Sequence, residues 1–136
     1  MTVFVCIDDR GGMLFNKRRL SKDKAVIHDI EKEVTDDVLY ITEFSEALFA
    51  DSNVSALSVP DPLFCASKND FVFIENMALK SYIDKIDKLI IYKWNRRYPF
   101  DLSLDIDPRN DGFYLESESS FKGNAHDKIT KEIYKK

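Results

Sequence analysis

Hydrophobic and polar positions along the chain change period several times, and each change marks an element. Thr2 to Ile7 is a short run rich in valine and phenylalanine that stops at Asp8-Asp9-Arg10-Gly11-Gly12, predicting a buried strand and a turn. From Asp23 the apolar residues Val26, Ile27, Ile30 and Val34 recur at helical spacing with charges between them. This predicts an amphipathic helix with Ser21 as its N-cap. Val38 to Thr42 returns to a strand. Glu43 to Ala50 then reads as a short helix capped by Thr42, with Phe44, Leu48 and Phe49 turned inward. Val54 to Val59 is a weaker strand, and Pro62 after Asp61 suits the first position of a short helix or turn. Phe71 to Ile74 is a strand. Leu79, Tyr82, Ile83 and Ile86 again follow helical spacing from Asn76 onward, before Lys88 to Trp94, the strongest strand of the chain.

Beyond Pro99 no helical period recurs. Two strands, Phe113 to Lys122 and Ile129 to Tyr134, flank a turn region at Gly123-Asn124. Strands alternating with helices imply an α/β fold. The expected architecture is a mostly parallel central sheet with antiparallel C-terminal strands, flanked by about four helices, in one domain over residues 1–136. No repeat, linker or low-complexity tract interrupts it.

Composition narrows the class of protein. Hydrophobic residues at 44% and charged residues at 32% match a packed globular domain and oppose wholesale disorder. Apolar runs such as Leu89 to Tyr92 fall far short of the roughly 20 residues a membrane helix needs. No basic-then-apolar leader opens the sequence, so the expectation is a soluble, cytoplasmic protein. Cys6 and Cys65 lack metal or redox spacing and read as buried, reduced thiols. The formal net charge of -4 disfavours a dedicated nucleic-acid binder. His28 and His126 are the only histidines, with no HxH or HExxH spacing, so no metal site is expected. GxSxG and P-loop motifs are also absent.

Three segments carry a resemblance. VFVCIDDRGGMLFNKRRLSKD is similar to the first strand, mobile loop and first-helix start of dihydrofolate reductases. FVFIENMALKSYIDKIDKLIIYKW resembles that family's strand leading to a glycine pair, the helix after it and the next strand. FDLSLDIDPRNDGFYLESESSFKGNAHDKITKEIYKK resembles its closing strands. The resemblance implies the dihydrofolate-reductase-like fold and a cleft between the first helix, the mobile loop and the late strand. It also implies that Asp23 matches the family's catalytic acid.

The same resemblance exposes departures. Where the family has a Gly-Gly pair that lets backbone approach the cofactor pyrophosphate, this chain has Glu75 and Asn76. Where the family grips cofactor phosphates with a Gly-Arg-Lys/His-Thr segment, it has Ile41-Thr42-Glu43-Phe44. The span from Asp51 to Asn69 is too short for an adenosine-binding strand and helix. Losing several phosphate contacts, each about 1.5–3 kcal/mol, lowers affinity by orders of magnitude, so no cofactor is expected. On the folate side Arg18-Arg19 replaces a Pro-Trp pair, and Tyr92 replaces a threonine.

The remaining candidates are judged on their chemistry. Asp23 either takes a cleft role or simply complements the dipole of its helix. Arg18, Arg19, Arg96 and Arg97, with Lys17, Lys22 and Lys24, either form one basic rim for a phosphate or carboxylate or lie on a solvated charged face. Trp94 and Tyr98 suit stacking on a flat ring or packing into the core, and Tyr92 borders the same cleft. His126 beside Asp127 is read as a turn or strand-edge interaction. The leading expectation is a dihydrofolate-reductase-like protein that binds a small anionic ligand or a partner without NADPH. One alternative is a divergent NADPH-dependent reductase of dihydrofolate or a related pterin or pyrimidine, using Asp23. Another is a homodimeric scaffold joined through exposed aromatics between Trp94 and Phe100.

Overall fold

The computed structural model describes residues 1–136. Its central sheet has seven strands: β1 Thr2–Ile7, β4 Val38–Ile41, β5 Ser55–Ser58, β6 Phe71–Phe73, β7 Lys88–Lys93, β9 Tyr114–Phe121 and β10 Ile129–Lys135. Their order across the sheet is β5-β4-β6-β1-β7-β10-β9. The first five run parallel, β10 runs antiparallel to β7, and β9 runs antiparallel to β10. β1 lies at the centre, with Phe4 level with Phe73 on one side and Ile90 on the other.

Central parallel strands bury both faces, so they read as nearly continuous apolar runs rather than alternating ones. The two-residue period still sorts their side chains. From β1, Val3, Val5 and Ile7 enter one core cluster while Phe4 enters the other. From β7, Leu89 and Ile91 join the first cluster, and Ile90 and Tyr92 the second. The second cluster is closed by helix α1, Lys24–Val34, through Val26, Ile30 and Val34, which are three of the four residues whose spacing predicts that helix. Leu63, from the short helix α3 (Pro62–Cys65), closes the first cluster together with Leu79 and Ile86. Each fully buried side chain of this kind contributes about 1.5–3 kcal/mol.

Several local details differ from the sequence expectation. The first helix is capped by Asp23, whose side chain accepts from Ala25 N–H at 2.9 Å, and not by Ser21. The segment after β4 is a 3₁₀ turn, Glu43–Ser45, running into α2, Glu46–Phe49. Thr42 supplies no side-chain cap there. Of its three expected inward residues only Phe49 is buried, while Phe44 and Leu48 are half-buried. The helix expected from Asn76 is the shorter 3₁₀ segment Lys80–Lys85. Asp105 fixes its start by accepting from Leu79 N–H and Lys80 N–H at 2.8 and 3.0 Å. Cys65 is exposed and Cys6 half-buried, which corrects the reading of both thiols as buried.

A small second sheet has no counterpart in the sequence reading. It joins β2 Gly12–Phe15, β3 Arg18–Arg19 and β8 Leu102–Ser103 in the order β3-β2-β8. Asn16 and Lys17 turn the chain between β2 and β3, both at positive φ (50° and 61°), the conformation of a two-residue hairpin loop. The hairpin is tied down by Asp8, which is buried and accepts from Arg10 N–H and Gly12 N–H on one oxygen and Tyr98 N–H on the other. A Cβ on Gly12 would lie 2.5 Å from the Phe100 ring, so any larger residue there would have to displace that side chain.

Candidate functional site

Asp23 sits at the start of α1, beneath the connection between β9 and β10. One carboxylate oxygen accepts from Ala25 N–H and from Asn124 N–H at 2.7 Å. The other accepts from Ala125 N–H at 2.8 Å and faces His126 Nδ1 at 2.8 Å. Burial alone would raise the carboxyl's pKa. The hydrogen bonds from His126, Asn124, Ala125 and Ala25 outweigh that and lower it to about 2. The side chain is fully enclosed, with four donors around its two oxygens. The approach is close because residue 123 is glycine: a Cβ there would lie 2.6 Å from Asp23 Oδ2 and 2.7 Å from the His126 carbonyl.

His126 is buried, stacked on Trp94 at 4.7 Å between ring centroids, with its Nε2 2.9 Å from Ser21 Oγ and 3.5 Å from the Tyr98 hydroxyl. It therefore bridges the closing strands and the first helix, where the sequence suggested only a turn or strand-edge contact. The one sequence signal for it was the Gly-Asn turn between two strands. Its partner lies 103 residues away.

Arg19 and Glu75 form a second polar pair, and they line one pocket with Ser21. Arg19 donates from Nε to Glu75 Oε1 at 2.9 Å and from Nη2 to Oε2 at 2.8 Å, a two-pronged pair. Ser45 Oγ donates to the same carboxylate at 2.6 Å, and Arg19 also donates to the Phe44 carbonyl and stacks over the Phe44 ring. Its guanidinium is thus bound internally, which removes it from the expected basic rim. Arg18 is exposed on β3, and Arg96 and Arg97 are exposed after β7, where the Arg96 carbonyl accepts from Asp9 N–H. Tyr92 is core: it is completely buried beneath α1, and its hydroxyl donates to Asp29 at 2.5 Å. Burial and the Asp29 carboxylate both raise its pKa. Lys131 completes that network by pairing with Asp29 and Glu33. Trp94 is buried too, so the contact surface expected from Trp94 to Phe100 loses its largest ring.

Three hollows surround these residues. The pocket lined by Ser21, Asp23, Glu75 and Trp94, with Arg19 and Val26 among others, has a volume of only ≈ 20 Å³. A groove of ≈ 680 Å³ opens where β4, β5 and β6 end, lined by Thr42, Glu43, Phe44, Glu46 and Asn76 among others. Two carboxylates face it and no lysine or arginine lines it. Thr42 donates across it to Asn76 Oδ1 at 3.1 Å. The third and largest, ≈ 930 Å³, runs between α1 and α2. Ala25, Ile27, Ala47 and Leu48 give it apolar walls. Lys22, Lys24 and Lys122 also line it, exposed and without ion-pair partners, together with the carboxylates of Glu31 and Asp51. The sequence marked Lys22 and Lys24, but Lys122 joins them only through the fold. No three histidine, cysteine, aspartate or glutamate side chains converge in a metal-binding arrangement, and no helix is long and apolar enough to cross a membrane.

Strand order, the antiparallel closing pair and the four flanking helical segments define the dihydrofolate-reductase-like α/β fold. The chain is similar to the dihydrofolate reductase from Enterococcus faecalis that was solved in complex with NADP(H) and RAB-propyl, with a TM-score of 0.68 over 98% of this chain and 94% of that one. Identity is 10%, so the likeness is one of fold. No family model and no curated protein matches the sequence.

Proposed function

We propose that this chain is a binding protein of dihydrofolate-reductase-like fold that takes a small anionic molecule in the groove between α1 and α2, without NADPH. The observation that carries this reading is that Lys22, Lys24 and Lys122, all unpaired, line a groove with apolar walls in which they outnumber the carboxylates of Glu31 and Asp51. Each of these ammonium groups lacks a carboxylate partner in the protein, and a bound anion supplies one while its apolar body covers Ile27 and Leu48. A carboxylate or phosphate attached to a small flat or aliphatic body fits this pattern.

Two observations support the absence of reductase chemistry. The groove at the ends of β4, β5 and β6 presents Glu43 and Glu46, which repel a pyrophosphate. Asp23, the acid matched to the family's catalytic residue, has both oxygens occupied by protein donors and its pKa lowered to about 2, so it holds no proton to deliver near neutral pH.

Thermal-shift and calorimetric titration with NADPH, dihydrofolate and a panel of aryl carboxylates and sugar phosphates tests the proposal. The expected result is stabilisation by at least one carboxylate or phosphate and none by NADPH. Replacing Lys22, Lys24 and Lys122 together by alanine should weaken that ligand about 10-fold or more, at roughly 1.4 kcal/mol per decade. Saturable stabilisation by NADPH, together with turnover of dihydrofolate, would instead support the reductase reading.

A further inference from the structure

Ser21, His126 and Asp23 stand in one hydrogen-bonded row that anion binding in the α1–α2 groove does not use. We propose that Ser21 is a nucleophile activated by His126, and that the chain hydrolyses esters of small acyl groups through an acyl-Ser21 intermediate.

Proton positions follow from the partners. The Asp23 carboxylate faces three backbone N–H groups and His126 Nδ1, and an ionised carboxylate only accepts. Nδ1 therefore carries the ring proton, and in the neutral imidazole Nε2 is left as an acceptor. Ser21 Oγ lies 2.9 Å from Nε2 and the Tyr98 hydroxyl 3.5 Å, so Ser21 takes the lone pair and donates its hydrogen to it. The ring is fixed by its stacking on Trp94 and by burial, as a general base requires.

Ser21 has no helix-capping duty that would explain this bond, because Asp23 caps α1. Ser21 is half-exposed and borders the ≈ 20 Å³ pocket, which holds about one water, so a bulky acyl group is excluded from that side. The backbone N–H groups of Lys22 and Asp23, which follow Ser21, donate to nothing in the protein. The residue after a serine nucleophile commonly supplies an oxyanion donor, and these two amides lead into the positive end of an eleven-residue helix.

In the first half-reaction Ser21 Oγ bonds to the carbonyl carbon as its proton passes to Nε2. The bond from that carbon to the leaving alcohol's oxygen then breaks, and that oxygen takes the proton from Nε2. Water attacks the acyl carbon by the same route, releasing the carboxylic acid and restoring the Ser21 hydroxyl. The sum is ester plus water giving acid plus alcohol, with no redox partner.

The test uses the full chain with p-nitrophenyl acetate and, separately, a fluorophosphonate probe. An early burst of nitrophenolate comparable to the protein concentration is expected, with peptide mass spectrometry placing the acetyl group and the phosphonate on Ser21. Ser21→Ala should abolish both while leaving the melting temperature near that of the wild type. Asp23→Asn should slow acylation by about 10²–10⁴-fold. A wild-type chain that melts cooperatively yet is labelled by neither reagent overturns the proposal. Burst and label persisting in Ser21→Ala overturn it as well.

Discussion

Individual carboxylates carry much of the specificity of this structure. Glu75 is buried and held by Arg19 from one side and Ser45 from the other, so deleting the guanidinium strands a charge away from water. Arg19→Ala should cost about 2–3 kcal/mol in urea unfolding, below the range for a completely buried pair because Arg19 is 24% exposed. Arg19→Lys should recover only part of this, since an ammonium lacks the planar fork that meets both oxygens. Asp23 and Asp8 share a second signature. Burial raises each pKa, but hydrogen bonds lower it overall, from His126 and backbone N–H groups at Asp23 and from Tyr98, Gly12 and Arg10 N–H groups at Asp8. A carboxyl depressed in the folded state stabilises the fold above its unfolded pKa of ~4, and that contribution fades as pH falls toward the folded value. For Asp23 the loss should run from pH ~4 down through about 2. It can be followed as loss of the His126–Trp94 stacking signal by NMR, and Asp23→Asn should flatten the profile.

Among the elements, the connection between β9 and β10 decides the site. It spans Lys122 to Lys128, and Gly123 lets it descend onto Asp23. A methyl group at 123 meets the Asp23 carboxylate, the His126 carbonyl and the Ile129 side chain. Gly123→Ala should therefore destabilise the protein by about 1–3 kcal/mol and expose the amides of Asn124 and Ala125 to hydrogen exchange. If exchange there is unchanged, the close packing is not what holds the connection in place. The hairpin of β2 and β3 plays a comparable part on the opposite side. It turns the chain back at Asn16-Lys17 and so delivers Arg19 to Glu75. Both connections bring polar groups of distant sequence into the middle of the molecule, and neither had an apolar period that would announce it.

For the whole molecule, the two core clusters are not separable. They lie on opposite faces of the same strands, so β1 and β7 contribute alternate residues to both. Loss of either face removes the support of the other, and unfolding should be one cooperative transition. Coincident far-UV and near-UV circular dichroism midpoints in urea would verify it, whereas separated midpoints would divide the chain into independent units. Both edges are solvent-facing: β9 is exposed along most of its length, and β5 exposes Leu57 on the opposite edge.

Some of this was written in the sequence and some was not. Apolar runs at period two and period 3.6 are local quantities. Val3 to Ile7, Val26 to Val34 and Leu89 to Tyr92 therefore determined the central strands, the first helix and the α/β class. Glu75 and Thr42-Glu43-Phe44 likewise stood out as departures from the resembled family's pattern, since charge is a property of the residue itself. Partner choice is not local. Arg18 and Arg19 look alike in sequence, yet only Arg19 is carried to a buried carboxylate, 56 residues away. Tyr92 was placed at the cleft but is core, because strand parity and α1 together bury it. Ser21 looked like a cap and His126 like a turn residue. Only the packing of the closing strands against the first helix, made possible by a missing Cβ at Gly123, brought the two side chains within a hydrogen bond of each other.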